Sequence, residues 1–406
     1  MAQTGFESGN RSSRLPRFSR RKTSAVGPVL LGLITLIAAV ISCSLTLQLL
    51  EPLLAGSGFH MTSGAAAGSN VTIMDRYDTY INNSLSDALE GLEGFERPKK
   101  TYWLSDEDII APRPNPACYG TTKDPSSLQW LLEEAEKKLG VTDTIFSMDI
   151  ELYSDSVVTY YLDDTIFCIT WKQVIDRAVY SFSEVKIAHA SQFRRFLADG
   201  TYGSEKQYYT TEMAETVNAV TASSGDFYKF RPLGVIVYNG TVQRATSDTD
   251  TCYIDENGNM LFTRIGEITS KEQAQQFVDD NNIRFSLSFG PVLVMDGENV
   301  APEVYKLGEG YKKYSRAALA QVGELHYLMM TVNLGVAEGY RNTLTLSELA
   351  AFMDSLDVIH AYALDGGQTA ALVTNNTLIN RPDYGTQRKI SDIIYFATAI
   401  PSEEWE

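Results

Sequence analysis

"ALDGGQTAALV", Ala363 to Val373, places a carboxylate and two glycines between two apolar runs. A Gly-Gly pair reaches backbone conformations closed to other residues, so it marks a sharp turn or a close approach of two chains. Asp365 at the head of that turn is either a turn-former bonded to its own backbone or a group presented to a ligand. The flanking runs are too short for buried helices and read as strands. The same texture recurs upstream. "SVVTYYLDDTIFCITWK", "AVYSFSEVKIAHA", "PLGVIVYNGTVQRA", "NMLFTRIGEI", "IRFSLSFGPVLVMDGE" and "HYLMMTVNLG" are strand-like runs bounded by Gly, Asn and Asp. Glu256-Asn257-Gly258 reads as a hairpin turn.

Two helices interrupt the strands. "TSKEQAQQFVDDNN" opens with a capping-box pattern at Thr269 and Glu272, and "TLSELAAFMDSLD" with another at Thr345 and Glu348. The reading is therefore one strand-rich α+β domain over residues 145–406, with no internal repeat.

The chain ahead of residue 145 differs. Residues 1–25 carry six basic side chains (Arg11, Arg14, Arg17, Arg20, Arg21, Lys22) against Glu7, and little that could form a core. Residues 26–50, "VGPVLLGLITLIAAVISCSLTLQLL", hold no charge and exceed the roughly 20 residues a membrane-spanning helix needs. The basic side faces the cytoplasm and everything after Glu51 faces out. A cleaved signal peptide is the competing reading, since "LLAGSG" offers small residues, but the apolar length favours a single-pass anchor. Residues 51–144 read as a linker and helical stalk, with helical spacing at Tyr77, Ile81, Leu85 and Leu89 and a second amphipathic helix in "SSLQWLLEEAEKKLG".

The formal net charge is -17 despite the basic tail. Such a surface repels phosphate backbones, which excludes nucleic acid as a partner. Cys43 lies in the apolar run. Cys118, Cys168 and Cys252 remain, an odd number that admits one disulfide without identifying it. The histidines His60, His189, His326 and His360 are scattered, and nothing has metal-ligand spacing. Asp163 and Asp164 are adjacent on a strand, so their side chains point to opposite faces. Neither a metal nor an organic cofactor is expected.

Six segments occur in an order that resembles the phosphodiester glycosidase family. They are "SSGDFYKFRPLGVIVYNG" (Ser223 to Gly240), "SFGPVLVMDGE" (Ser288 to Glu298), "YSRAALAQVG" (Tyr314 to Gly323), "TLTLSELAAFM" (Thr343 to Met353), "ALDGGQTAALVTNNTLINRP" (Ala363 to Pro382) and "TQRKISD" (Thr386 to Asp392). The resemblance covers roughly residues 183–401. It departs from the family pattern at Ser224, where Asn is usual, at Gln368, where a small residue is usual, and around Asn333, where Asp-Gly is common.

What the resemblance implies is hydrolysis of a sugar–phosphate linkage in an envelope glycopolymer or exopolysaccharide, with a non-catalytic glycan-binding or envelope-assembly role as the alternative. The implied catalytic carboxylates are Asp365 and Asp226. Glycoside cleavage usually takes two carboxyl groups, although a phosphate leaving group lessens the need for acid assistance and raises that for cations. Arg316 and Arg388 are the implied phosphate ligands, since a guanidinium offers two parallel donors to phosphate oxygens. Gln368 and Asn380 would bond sugar hydroxyls, and Gly225, Gly366 and Gly367 would shape the pocket.

Overall fold

The computed structural model describes residues 101–405 apart from 107, 306–309, 335–338 and 340–341. The basic tail, the apolar run 26–50 and the first stalk helix lie outside the described residues. Among the described residues no helix is long and apolar enough to cross a membrane.

The main sheet has nine antiparallel strands. Their spatial order is Tyr119–Thr122, Val158–Leu162, Ile166–Ile175, Ala178–Ile187, His326–Asn333, Arg316–Gly323, His360–Leu364, Val292–Met295 and Glu298–Asn299. Its central strands are apolar at nearly every position because both faces are covered. Successive side chains alternate between faces. Ala318, Ala320, Leu328 and Met330 pack with Trp171 and Phe182 beneath two helices, Pro125–Leu139 and Leu346–Asp354. Ala317, Leu319, Tyr327 and Met329 face the other way, onto Phe193, Leu287, Leu372 and Phe396.

Those last four residues come from two five-stranded sheets. One runs Met260–Thr263, Thr251–Asp255, Ile283–Leu287, Ile236–Tyr238, Thr241–Arg244, with the helix Lys271–Asp280 against it. The other runs Thr377–Leu378, Leu372–Thr374, Thr221–Ser224, Asp392–Phe396, Phe193–Leu197. The helix Thr210–Thr216 and the apolar residues Leu104 and Ala111 cover its outer side.

The strand-rich α+β reading therefore holds, and several details differ. The compact unit runs Lys99–Glu406, earlier than the expected start at residue 145. The strand Tyr119–Thr122 pairs with Val158–Leu162, and the helix Pro125–Leu139 buries Leu128, Leu131 and Ala135 on the main sheet. An amphipathic helix shows which side it buries but not what covers that side. The box at Thr345 and Glu348 forms as read. At the other helix the cap is Ser270, which accepts from Gln273 N, and Thr269 donates its hydroxyl to the Gln273 side chain instead. Glu256-Asn257-Gly258 does close a hairpin, between Thr251–Asp255 and Met260–Thr263. Cys118, Cys168 and Cys252 are all free thiols.

Candidate active site

The ends of the three sheets meet at one place, and each contributes an acid, a base or a hydrogen-bond donor to it. The main sheet brings Asp365, which directly follows His360–Leu364. The sheet containing Thr221–Ser224 brings Gly225 and Asp226 from the end of that strand, Asp392 from the start of Asp392–Phe396, and Arg195 from the middle of Phe193–Leu197. The third sheet brings Ser288, just past Ile283–Leu287.

Gly225 and Gly366 permit the junction. A Cβ on Gly225 would stand 2.4 Å from Asp392 Oδ2, and one on Gly366 would stand 2.5 Å from the Ser315 carbonyl oxygen. The Asp365 amide reaches the Gly225 carbonyl at 3.4 Å, which joins the two glycine-flanked segments. Gly367 adopts a left-handed φ of 65° and its amide donates to Ser315 O at 2.7 Å. The Gly-Gly pair thus serves close approach at the first glycine and a left-handed turn at the second. Thr369 closes the turn by donating to the Gly366 carbonyl.

Asp226 accepts at Oδ2 from Ser288 N (2.5 Å) and Ser288 Oγ (2.9 Å). Its own amide donates to the Asp392 carboxylate at 3.1 Å. Arg195 is buried between the two acids: its Nη2 lies 2.8 Å from Asp392 Oδ2 and 3.7 Å from Asp226 Oδ2. Nε gives Asp392 a second bond at 3.0 Å, and Nη1 donates to the Ser286 carbonyl. Burial pushes the Asp392 carboxyl up, with Arg195 opposing. For Arg195, burial disfavours the charge but Asp392 and Asp226 outweigh it. One cation between two carboxylates fixes the backbone and side chain of Asp226 from both sides.

Asp365 has no such ion-pair partner. Burial pushes its carboxyl from the ordinary range up to about 7. The Thr369 hydroxyl, Arg231 and Arg388 pull the other way, and Asp226 adds to the rise. The residue as a whole is half-buried. Asp365 thus lies near a second carboxylate and two guanidinium groups.

The other expected residues divide. Arg388 is exposed at the mouth, its guanidinium 5.5 and 5.7 Å from the rings of Phe227 and Phe230, which stack on each other at 4.8 Å. Gln368 is also at the mouth, and its amide donates to the carbonyl and hydroxyl of Thr386, both at 3.3 Å. Arg316 is buried and directed elsewhere: Nε donates to Leu344 O at 3.0 Å and Nη2 to Lys312 O at 2.7 Å. It braces the segment ahead of its strand. Asn380 is buried too, bonded to Leu372 N, Ala370 O and Asn333 Oδ1. Asn380 holds the loop after Gly-Gly rather than facing the cleft.

Three residues of the site escaped the sequence reading: Arg195, Asp392 and Arg231. Arg231 anchors itself by donating to the Phe289 carbonyl at 2.9 Å, over the Phe289 ring at 4.3 Å. Its place six residues after Gly225, in the segment quoted above, was the available signal. Behind Arg195, on the side away from the cleft, a cavity of about 210 Å³ is lined by Arg194, Arg284 and Tyr238. It contains neither Asp365 nor Asp226.

The family model described as phosphodiester glycosidase matches residues 215–397. That range includes Asp226, Arg231, Asp365, Arg388 and Asp392 and leaves Arg195 outside. Among solved structures, the chain is similar to the zebrafish N-acetylglucosamine-1-phosphodiester alpha-N-acetylglucosaminidase catalytic domain auto-inhibited by its pro-peptide. Identity there is 17%, over 61% of this chain and 86% of that one, at a TM-score of 0.46. It is also similar to a hypothetical protein from Synechocystis, at 14% identity over 60% of this chain and 64% of that one, with a TM-score of 0.42. No curated protein matches the chain.

Proposed function

The chain carries a domain of the phosphodiester glycosidase family over residues 215–397, and from this premise we propose that it hydrolyses a glycosyl phosphodiester at the Asp365–Asp226 cleft. The observation that carries the reading is the placing of Asp365, raised to about 7 by burial, next to Asp226, Arg231 and Arg388. A group that titrates near the working pH moves protons most effectively.

In the proposed reaction a water oxygen attacks the anomeric carbon and the bond from that carbon to the phosphate oxygen breaks. Asp365 takes the proton of the attacking water, and the electron pair of the broken bond leaves with the phosphate. The phosphomonoester departs as a stabilised anion, so Arg231 and Arg388 answer the charge that develops. Asp226 faces the developing positive charge on the sugar ring, as the second carboxylate of a glycosidase does. Ser288, Arg195 and Asp392 hold it there. The Phe227–Phe230 stack gives the sugar an apolar face to lie on.

The substrate we propose is an envelope glycopolymer or exopolysaccharide, and the charge-free run 26–50 following a basic tail supports an outward-facing domain on a single membrane anchor. The exposed Phe227–Phe230 stack also suits the competing reading, a glycan-binding module without turnover. One experiment separates the two. The full-length chain is incubated with a panel of sugar-1-phosphate diesters in ¹⁸O-water, and the products are weighed. Label in the released sugar supports this reaction. Unchanged diesters, with glycan still bound, support the module, and label in the phosphate means that a different bond was cut.

A further inference from the structure

The rim that carries Asp365 continues across the main sheet to a second small cavity. His360–Leu364 neighbours Arg316–Gly323, which neighbours His326–Asn333. Asn333, at the end of that strand, is therefore two strand spacings from the strand of Asp365, roughly 10 Å. The cavity there holds about 100 Å³ and is lined by Tyr153, Lys172, Val179, Asn333, Asn380 and Arg381, among others. That is room for several waters or for one tetrahedral oxyanion.

Among the described residues that line it, Lys172 and Arg381 are cationic and none is a carboxylate. Asn333 is 2% exposed and its Nδ2 has no hydrogen-bond partner among the described residues. The amide orientation follows from its neighbour. Asn380 Oδ1 already accepts from Leu372 N at 2.8 Å, so Asn380 must donate with Nδ2, which it does to Ala370 O and to Asn333 Oδ1, both at 2.7 Å. Asn333 thus uses its acceptor on Asn380 and keeps a donor over. A buried amide without a partner costs on the order of 1–3 kcal/mol, a deficit that an acceptor in the cavity would remove. One unmated donor and two cations around an oxyanion-sized space describe a phosphate seat.

We propose that this cavity is a second phosphate-binding subsite, which holds a neighbouring phosphate of a polymeric substrate while the linkage to be cut lies at Asp365. This assignment rests on the hydrolase reading for the identity of the polymer, but its phosphate chemistry stands on the cavity alone. Asn380 links the two places, since its amide bonds both Asn333 and the Ala370 carbonyl, five residues after Asp365. A phosphate seated at Asn333 therefore adjoins the loop that presents the carboxyl.

The test has two arms. Inorganic phosphate is titrated calorimetrically into the full-length chain, the wild type beside Lys172→Met, Arg381→Ala and Arg388→Ala. Neither Lys172 nor Arg381 is buried, and matched melting temperatures establish that the variants fold. The expected result is binding at least tenfold weaker in Lys172→Met and Arg381→Ala, with the tight component kept in Arg388→Ala. Binding that is absent from the wild type, or equal in the wild type, Lys172→Met and Arg381→Ala, overturns the subsite. The second arm compares kcat/KM on a polymer and on a minimal diester. Lys172→Met should lower the first about tenfold and leave the second unchanged, whereas an equal loss on both overturns the proposal. If the wild type cleaves neither substrate, the hydrolase reading fails, and the calorimetric arm still decides whether phosphate sits at Asn333.

Discussion

Asp163 and Asp365 each sit in a turn at the end of a main-sheet strand, and their surroundings are opposite. Asp163 is fully partnered. It accepts from Tyr161 Oη (2.9 Å), Thr165 N (2.7 Å), Thr165 Oγ1 (2.9 Å), Ile166 N (2.9 Å) and Thr398 Oγ1 (2.5 Å). Tyr161 and Thr398 come from elements far apart in sequence, so this carboxylate ties the C-terminal segment to the sheet. Asp365 has no ion-pair partner among the described residues, and burial raises it to about 7. A buried aspartate whose acceptors are all used is a structural joint. Burial raises Asp392 to about 7 as well, but Arg195 and the Asp226 amide occupy it, so what sets Asp365 apart is its lack of an ion-pair partner among the described residues.

The largest effect that separates them is on turnover. Asp365→Asn keeps the shape, removes the titrating proton and should lower kcat about 10²- to 10⁴-fold without lowering the melting temperature. Asp163→Ala should do the reverse. It leaves three hydroxyls and two amides without their acceptor, a loss of about 3 kcal/mol in stability by denaturant titration, with turnover per folded molecule nearly intact. Equal losses of activity in the two variants would erase the distinction.

The pH dependence sharpens the comparison. In the proposed reaction Asp365 is the base, so kcat/KM should rise as pH climbs through about 7, and a fall through the same range would assign it as acid instead. Stability carries the opposite sign. A carboxyl whose folded value lies above its unfolded value of about 3.9 binds more protons when folded. Its contribution is present below pH 4 and is lost as pH rises to about 7. Asp365→Asn should flatten that decline in melting temperature.

Two smaller changes probe the surroundings. Gly366→Ala puts a methyl group 2.5 Å from the Ser315 carbonyl oxygen and should cost about 1–3 kcal/mol in stability as well as activity. Arg388→Ala removes an exposed cation at the mouth, for a loss of about fivefold in kcat/KM that shrinks in high salt. If Arg388→Ala proved as damaging as Asp365→Asn, the cleft would be organised around the mouth rather than the buried carboxyl.

Many of the strands were legible because alternation and Asn-Gly or Asp-Gly turns are local signals, but their spatial order was not. Asp365 and Asp226 were legible because each lies against a glycine whose missing Cβ admits another chain. Arg195 was not. "FRRFL" looks like an exposed, charged stretch, and only the pairing of Ile394 with Arg195 brings Asp392 beside it. Such an ion pair joins residues nearly two hundred apart in sequence, and no local pattern records it. Arg316 and Asn380 show the converse error. Their residue types suit a ligand, but both are bonded to backbone carbonyls, a partner invisible to side-chain chemistry read along the chain. The helix Pro125–Leu139 differs for a third reason, since amphipathicity cannot tell a stalk from a helix that folds back on the domain.

The most direct measurement is turnover of a sugar-1-phosphate diester by the full-length chain, with Asp365→Asn and Asp163→Asn assayed alongside at matched folded concentration. The account predicts release of free sugar by the wild type and by Asp163→Asn, and its loss in Asp365→Asn alone. Wild-type turnover that survives in Asp365→Asn would contradict it.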